Sequence, residues 1–251
     1  MAEGLAAVAD TAPAADARRK RGKNTMSMRT PVDLFKRYRS EYVATKTPRL
    51  VQVEPAHFLT LVSDDSLDGF SDENAEVTAL YAVAGALRSV VVAVHHRDFI
   101  LGKLERISQC DGLTPNALRW KIMIRIPDFV TPDDLACAAE SMLSIAGSSA
   151  NSTWIRYSQI QVYSENLCVQ ALHVGPDDAD VESNAWAFLR GFALTQGLEQ
   201  AGPLHAIYLS SSRRVPPEHL RTLLRFPVRA VSVTEANDGS EKNLLIEEVV
   251  I

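Results

Sequence analysis

The segment Trp120–Ile126 constrains the fold more than any other stretch, because its apolar residues alternate without interruption. Trp120, Ile122, Ile124 and Ile126 would share one face of a strand, and Lys121, Met123 and Arg125 the other. The following Thr131-Pro132-Asp133-Asp134 has the features of a helix start: a hydroxyl cap, a first-turn proline and two acids at the positive helix end. We expect this helix to run to about Ile145. A strand that leads directly into a helix predicts a protein that contains both β-strands and α-helices.

Similar patterns predict the other elements. Further strands are expected at Arg49–Val53, His57–Val62, Arg156–Tyr163, Leu167–Val174, His205–Ser210 and Pro227–Val233. Further helices are expected at Asp33–Val43, at Glu73–Val94 with Ser71 as its N-cap, at Val181–Gly197 with Trp186, Leu189 and Leu194 facing inward, and at Pro217–Leu224. We expect a hairpin at Ser164–Asn166 and a loop at Gly147–Ser152. Two stretches, 49–130 and 155–235, therefore share an element order, and the predicted class is α+β, a mostly antiparallel sheet with helices on one face.

Charge is unevenly distributed along the 251 residues. Residues 1–30 carry a net charge of +3, whereas the rest of the chain carries −8. An acidic body repels phosphate backbones, which argues against nucleic acid as a partner of the folded domain. We expect residues 1–30 to be a disordered tail, with a nuclear-localisation or nucleic-acid patch at Arg18–Arg21 as the alternative. The apolar runs are shorter than the roughly 20 residues of a membrane span, so no membrane contact is expected.

The cysteines indicate the cellular compartment, and the absence of known motifs narrows the kinds of functional site. Cys110, Cys137 and Cys168 are widely spaced and form no CxxC pair. A sparse, odd number of cysteines is typical of a reducing compartment, so we expect a cytoplasmic protein whose cysteines are small buried side chains. The sequence has no GxGxxG, Walker, HExxH or GxSxG motif. It thus gives no support for a dinucleotide, nucleotide, zinc-protease or serine-hydrolase site, and we expect neither a cofactor nor a metal.

A set of short segments, taken in their order along the chain, resembles the GyrI-like small-molecule-binding family. The segments are Asp33–Phe35, Val51–Glu54, Ala79–Ala84, Arg119–Arg125, Pro127–Thr131, Gly175-Pro176, Gly202-Pro203, Ile207–Ser210, Arg213-Arg214 and Pro217-Glu218. The resemblance implies two pseudo-symmetric strand–helix–strand–strand modules, with a groove between them that holds an aromatic or cationic small molecule. It also implies three kinds of activity found in such proteins: ligand sensing in multidrug-responsive regulators, gyrase inhibition, and hydrolysis of cyclopropane-bearing DNA-alkylating compounds.

The chain departs from that pattern at positions that matter for chemistry. Ala206 replaces the acidic residue that usually precedes the Ile-Tyr-Leu-Ser stretch, and Asp177 replaces a tyrosine after the Gly-Pro turn. Asp98-Phe99 is followed by Ile100–Ser108, without the usual tryptophans. An alanine offers neither a charge nor a group that activates water. The acids that lie near in sequence and could replace it are Asp177, Asp178, Asp180 and Glu182.

Five residues are predicted to line the ligand groove, because a flat ligand needs aromatic or polarisable walls. They are Tyr81, Trp120, Met123, Trp186 and Tyr208. A place in the hydrophobic core is the alternative for each aromatic residue. Arg213-Arg214 are expected at a surface turn, with contact to an anion as the alternative. No catalytic residue is assigned.

Together these observations favour one small-molecule-binding domain over residues 31–235, followed by a C-terminal extension over 236–251. The expected function is cofactor-independent binding of an apolar or aromatic ligand, which the resemblance allows to be cationic. The first alternative is a hydrolase that detoxifies cyclopropane-bearing genotoxic compounds, with Asp177 or Glu182 in place of the missing acid. The second alternative is a partner-binding protein of the gyrase-inhibitor type.

Overall fold

The computed structural model describes residues 30–62, 74–109, 119–146, 151–176 and 179–231. Its strands are β1 (Arg49–Val53), β2 (Ala56–Val62), β3 (Leu104–Gln109), β4 (Arg119–Ile126), β5 (Gln159–Tyr163), β6 (Asn166–Val174), β7 (Leu198–Gln200), β8 (His205–Tyr208) and β9 (Arg221–Ala230). Its helices are α1 (Leu34–Arg37), α2 (Ala75–His95), α3 (Pro132–Ala146), α4 (Asn151–Tyr157) and α5 (Ala179–Thr195), with 3-10 helices at Arg39–Tyr42 and Pro217–His219. The predicted tail, except residue 30, and the C-terminal extension lie outside the described residues, so the domain boundaries stay predictions.

The described strands form one open sheet in which every ladder is antiparallel. The order across the sheet is β1-β6-β9-β8-β3-β4-β2-β5, and the short β7 pairs with the far end of β9. This confirms the predicted α+β class with a mostly antiparallel sheet.

The sheet contains two modules of the same connectivity, β2-α2-β3-β4 and β6-α5-β8-β9. In each module the second strand lies at the centre of the sheet, the third lies next to it and the first lies furthest out. The two central strands, β3 and β8, pair with Arg106 opposite Ala206. The prediction of two pseudo-symmetric strand–helix–strand–strand modules is therefore confirmed.

The strands that precede the two modules are exchanged between them. β1 comes just before β2 in sequence but pairs with β6, and β5 comes just before β6 but pairs with β2. The predicted hairpin at Ser164–Asn166 is therefore wrong. Glu165 gives the physical reason, because its buried carboxylate forms ion pairs with Arg225 and His205. These contacts hold the link against the sheet, so that β5 and β6 join different modules instead of each other.

The structure also corrects the predicted helix over Pro217–Leu224. Only Pro217–His219 forms a single 3-10 turn, and β9 already begins at Arg221, earlier than the predicted Pro227. The reason is that Leu223 and Leu224 are buried in the sheet, where β9 pairs with both β6 and β8. Tertiary pairing thus overrides a local helical pattern.

Two more elements differ from the sequence prediction. The predicted loop at Gly147–Ser152 and strand at Arg156–Tyr163 both overlap α4, which continues to Tyr157 before β5 starts at Gln159. The sequence pattern does not predict β3, because Glu105, Arg106 and Ser108 in this strand are polar yet buried. The predicted N-cap Ser71 lies outside the described residues, and Asn74 occupies the N-cap position of α2.

The hydrophobic core lies between the sheet and the two module helices. The buried residues of α2, among them Leu80, Leu87 and Val91, pack on the inner face of β2 and β4, and those of α5 pack on β6 and β9. Because Trp120 and Ile122 share one face of β4, both helices cover the same side of the sheet. In α5 the predicted inward-facing Leu194 is 64% exposed, a correction to the sequence analysis, and Ala193 is buried in its place.

The helix α2 has the length and mean hydropathy of a membrane span, although no such run was expected from the sequence. The residues on its inner side, among them Leu80, Leu87 and Val91, are buried against the sheet as in the core helix of a globular protein, whereas Val94 near its end is 60% exposed. Location in the cytoplasm stays a prediction.

The cysteines divide between core and surface. Cys168 is buried, as predicted, whereas Cys137 on α3 is exposed, which contradicts the prediction that all three are buried. Cys110 lies outside the described residues.

Candidate functional site

A cleft opens at one end of the central strands, where the two modules meet. It consists of two adjoining cavities of about 630 Å³ and 790 Å³, which share Tyr81, Lys103 and Leu209. The first cavity lies between α2 and the chain that follows β8, with the start of β3 beside it. The second lies between the N-terminal segment, from Asp33 to Ala44, and the loop before β3. We call the two cavities together the cleft.

Two tyrosines, one from each module, form aromatic walls of the cleft. Tyr81 on α2 lines both cavities and is 36% exposed. Tyr208, the last residue of β8, lines the first cavity. Phe35 adds a third ring from the N-terminal segment, on the side of the second cavity. Aromatic residues in such positions are typical of sites for apolar or aromatic ligands.

The other three predicted site residues do not line the cleft. Trp120 and Trp186 are buried in the core under α5, where the Trp186 ring lies 6.5 Å from that of Phe226. Met123 lies on the opposite side of the sheet, in a cluster that includes Phe58. The roles of all five residues as ligand contacts stay predictions, and of the five only Tyr81 and Tyr208 line the cleft. Alternation along a strand separates its two faces, but it does not tell which face, or which end, borders a cavity.

Sequence reasoning did not find Lys103, which lies where the two cavities meet. A lone lysine in a loop carries no sequence signal of its own, but the neighbouring glycine does. A Cβ on Gly102 would lie 2.9 Å from the carbonyl oxygen of Arg125, so only glycine lets this loop pass so close to β4. The close approach positions Lys103, whose Nζ lies 5.7 Å from the centre of the Phe35 ring.

A cluster of ionised side chains is buried on the sheet face opposite the two module helices. We call Glu41, Glu105, Glu165, Arg125, His205 and Arg225 the buried ionic cluster. Its ion pairs are short: Arg125 to Glu41 at 2.6 Å, Arg225 to Glu165 at 2.6 Å, and His205 to Glu105 at 2.8 Å and to Glu165 at 2.9 Å. With His205 protonated, three positive charges balance three negative ones. Such pairing is what makes buried charges tolerable.

His205 and Glu165 both have shifted pKa values inside this cluster. Burial alone would lower the pKa of His205, but the negative charge of Glu165 and the hydrogen bonds to both carboxylates outweigh it and raise the pKa. Burial alone would raise the pKa of Glu165, but Arg225 and His205 lower it to about 2. Both groups are therefore held in their charged forms.

Tyr42 connects the buried ionic cluster to the cleft. It lines the second cavity, and its hydroxyl lies 3.3 Å from Oε1 of Glu105 and 3.2 Å from Nη1 of Arg125. Burial and the charge of Glu105 raise the pKa of Tyr42, although Arg125 opposes the shift. The phenol is therefore neutral, and its O–H donates a hydrogen bond to Glu105, so a carboxylate lies one hydrogen bond behind a residue of the cleft wall.

The acids proposed as replacements for Ala206 cannot be placed at the cleft. Asp177 and Asp178 lie outside the described residues, and of Asp180 and Glu182 only the helical backbone of α5 is described. Ala206 itself is fully buried under α5. Among the described residues, no group of three or more His, Cys, Asp and Glu is arranged to hold a metal ion.

No protein-family model matches the chain, and no curated protein matches its sequence. Among solved structures it is similar to an uncharacterized conserved protein from Listeria innocua, with 27% identity, a TM-score of 0.65 and coverage of 79% of this chain and 100% of the other. It is equally similar to a hydrolase from Listeria innocua, with 26% identity, a TM-score of 0.65 and coverage of 80% and 100%. The likeness to the C-terminal domain of EcmrR is weaker, at 13% identity and a TM-score of 0.46, with coverage of 74% of this chain and 98% of the other. The chain thus shares its α+β fold with the two Listeria proteins over their whole length.

Proposed function

We propose that this protein binds a small molecule with an apolar or aromatic body in the cleft, as a GyrI-like binding protein. The observation that carries the proposal is that Tyr81 and Tyr208, from different modules, line one cavity of about 630 Å³. This volume lies within the range of ligand sites, and aromatic walls give such sites their affinity. The resemblance to the GyrI-like family supports the same function.

The test is a fluorescence titration with N-phenyl-1-naphthylamine, a neutral aromatic dye. We expect saturable binding of one dye per chain, and a loss of affinity of roughly threefold to tenfold in Tyr81→Ala and in Tyr208→Ala. Tyr157→Ala is the matched control, because Tyr157 on α4 is 62% exposed and does not line the cleft. Absence of saturable binding, or the same affinity in all variants, would overturn the proposal.

A second candidate function is hydrolysis, and two observations favour it. One similar protein from Listeria innocua is a hydrolase, and the cleft has a carboxylate behind its wall, Glu105, hydrogen-bonded to Tyr42. In hydrolysis a base removes a proton from the attacking water and an acid protonates the leaving atom. Glu105, a carboxylate, and Tyr42, a neutral phenol at the cleft wall, have these two chemical properties.

The hydrolase proposal is tested with a cyclopropane-bearing DNA-alkylating compound, by chromatography of the ring-opened product. We expect turnover that falls by about 10²- to 10⁴-fold in Tyr42→Phe and in Glu105→Gln. Tyr157→Phe serves again as the control and is expected to keep full turnover. If the wild type gives no product beyond the uncatalysed rate, or if Glu105→Gln retains full activity, the hydrolase proposal fails while the binding proposal stands.

A further inference from the structure

The described residues of the cleft wall carry mostly positive charge. The cations are Arg39, Lys103, Arg213, Arg214 and Arg221. Asp33 is the one carboxylate among the described lining residues, and it is engaged with Lys36. Its Oδ1 accepts the backbone N–H of Lys36 and its Oδ2 lies 3.3 Å from Lys36 Nζ. The walls that the structure describes therefore favour negative charge inside the cleft.

Lys103 has the central position among these cations. It lines both cavities, it is partly buried, and its Nζ lies 3.5 Å from the carbonyl oxygen of Leu209 and near the face of Phe35. Neither the carbonyl nor the aromatic face carries a negative charge, and Asp33, the one carboxylate among the described lining residues, is paired with Lys36. Partial burial makes that charge more effective on a neighbouring ion than it would be in bulk water.

A second cation lies behind the tyrosine wall, at the centre of the sheet. The guanidinium of Arg106 is buried, 4.2 Å from the centre of the Trp120 ring and 5.7 Å from the centre of the Tyr208 ring. Ala206, directly opposite in the sheet, contributes no charge at the position where the sequence pattern led us to expect an acid. Arg106 and Ala206 thus face each other at the junction of the two modules, with no carboxylate at residue 206.

We infer that the cleft selects an anion, namely a ligand with a carboxylate, sulfonate or phosphate group on an apolar or aromatic body. The acidic group lies near Lys103, and the body packs against Tyr81 and Tyr208. This inference rests on the proposed binding function and adds to it the sign of the ligand's charge. A cationic ligand of the same shape meets the like charge of Lys103.

Tetraphenylborate and tetraphenylphosphonium test the inference, because the two ions have nearly the same shape and opposite charge. Isothermal titration calorimetry in sodium buffer of low ionic strength gives their affinities for the full chain. We expect tetraphenylborate to bind at least about tenfold more tightly. In Lys103→Met this ratio falls severalfold, while Arg229→Met leaves it unchanged. Arg229 is the matched control, because it is an exposed cation at the other end of β9, paired with Glu199.

The outcomes distinguish a failure of the inferred anion selectivity from a failure of the proposed binding function. If both ions bind equally and Tyr208→Ala weakens both, the cleft binds small molecules but does not select anions, and the inference is overturned. Tighter binding of tetraphenylphosphonium overturns it as well. If neither ion binds and the neutral dye also fails to bind, the proposed function fails together with the inference. A preference for the borate ion that Lys103→Met leaves intact contradicts the assignment of the selectivity to Lys103 and overturns the inference.

Discussion

The imidazole Nε2 of His205 lies 2.8 Å from a carboxylate oxygen of Glu105, and both side chains are about 1% exposed. The two residues are on the central strands of different modules, β8 and β3. Since Nδ1 of His205 also lies 2.9 Å from Glu165, one imidazole joins carboxylates from two separate parts of the chain. The buried ionic cluster therefore contributes to the junction of the two modules beneath the cleft.

The first prediction concerns the loss of this junction. His205→Ala leaves Glu105 without its cation, and removal of one partner of a buried ion pair costs about 3–5 kcal/mol. We expect the free energy of unfolding, measured by urea denaturation, to fall by this amount. His219→Ala is the control, since His219 is exposed at a 3-10 turn and its loss costs less than about 0.5 kcal/mol. A decrease below about 1 kcal/mol in His205→Ala would show that the cluster contributes little.

The second prediction is the pH dependence of this contribution. The pKa of His205 is raised in the folded protein above its ordinary value of 6.5, so the folded state binds the proton more tightly than the unfolded state. Its contribution to stability is therefore fully present below pH 6.5 and is lost as the pH rises through the raised pKa. We expect the difference in unfolding free energy between wild type and His205→Gln to shrink as the pH is raised from 6 to 9. A difference that grows over this range would contradict the raised pKa.

Much of the fold could be predicted from the sequence, because alternation and helix caps act locally. β1 has the predicted boundaries Arg49–Val53, and β4 begins one residue before the predicted Trp120. The failures occur where long-range pairing decides. The central strand β3 was not predicted, because Glu105 and Arg106 are polar although they are buried. Buried polar residues are tolerated only when partners from elsewhere in the chain satisfy them, and a local pattern does not show those partners.

The candidate site was less predictable than the fold, for a related reason. Aromatic residue type identifies Tyr81 and Tyr208, but it also selects Trp120 and Trp186, which are in the core. Lys103 enters the site only because Gly102 lets its loop approach β4, a contact between distant parts of the chain. Such a contact leaves no pattern in a single sequence.

The third prediction tests whether Trp186 is a residue of the hydrophobic core or a contact of the ligand. This residue is 4% exposed and packs in the core under α5, so Trp186→Ala is expected to cost about 3–5 kcal/mol of stability through the cavity that it leaves. At a temperature where the variant is folded, its affinity for N-phenyl-1-naphthylamine should equal that of the wild type. Leu194→Ala on the same helix is the control, because Leu194 is exposed, and it should change neither property. A selective loss of dye binding in Trp186→Ala would restore Trp186 as a ligand contact.

The last prediction concerns the glycine that positions Lys103. A Cβ on Gly102 would lie 2.9 Å from the backbone oxygen of Arg125, and a backbone atom in a sheet cannot move aside as a flexible side chain does. Gly102→Ala therefore has to displace the loop, at a cost of roughly 1–3 kcal/mol, and it moves Lys103 away from the junction of the two cavities.

We accordingly expect Gly102→Ala to lower both the unfolding free energy and the preference for tetraphenylborate over tetraphenylphosphonium. Gly85→Ala is the matched control, because a Cβ at this position in the middle of α2 meets nothing within 4 Å apart from its chain neighbours and its own helix backbone. Alanine favours a helix by about 0.5–1 kcal/mol over glycine, so this variant should be as stable as the wild type or more stable, with the same ion preference. If Gly102→Ala lowers stability but leaves the preference intact, the charge that selects the anion is not that of Lys103, and the exposed arginines that follow β8 become the residues to test.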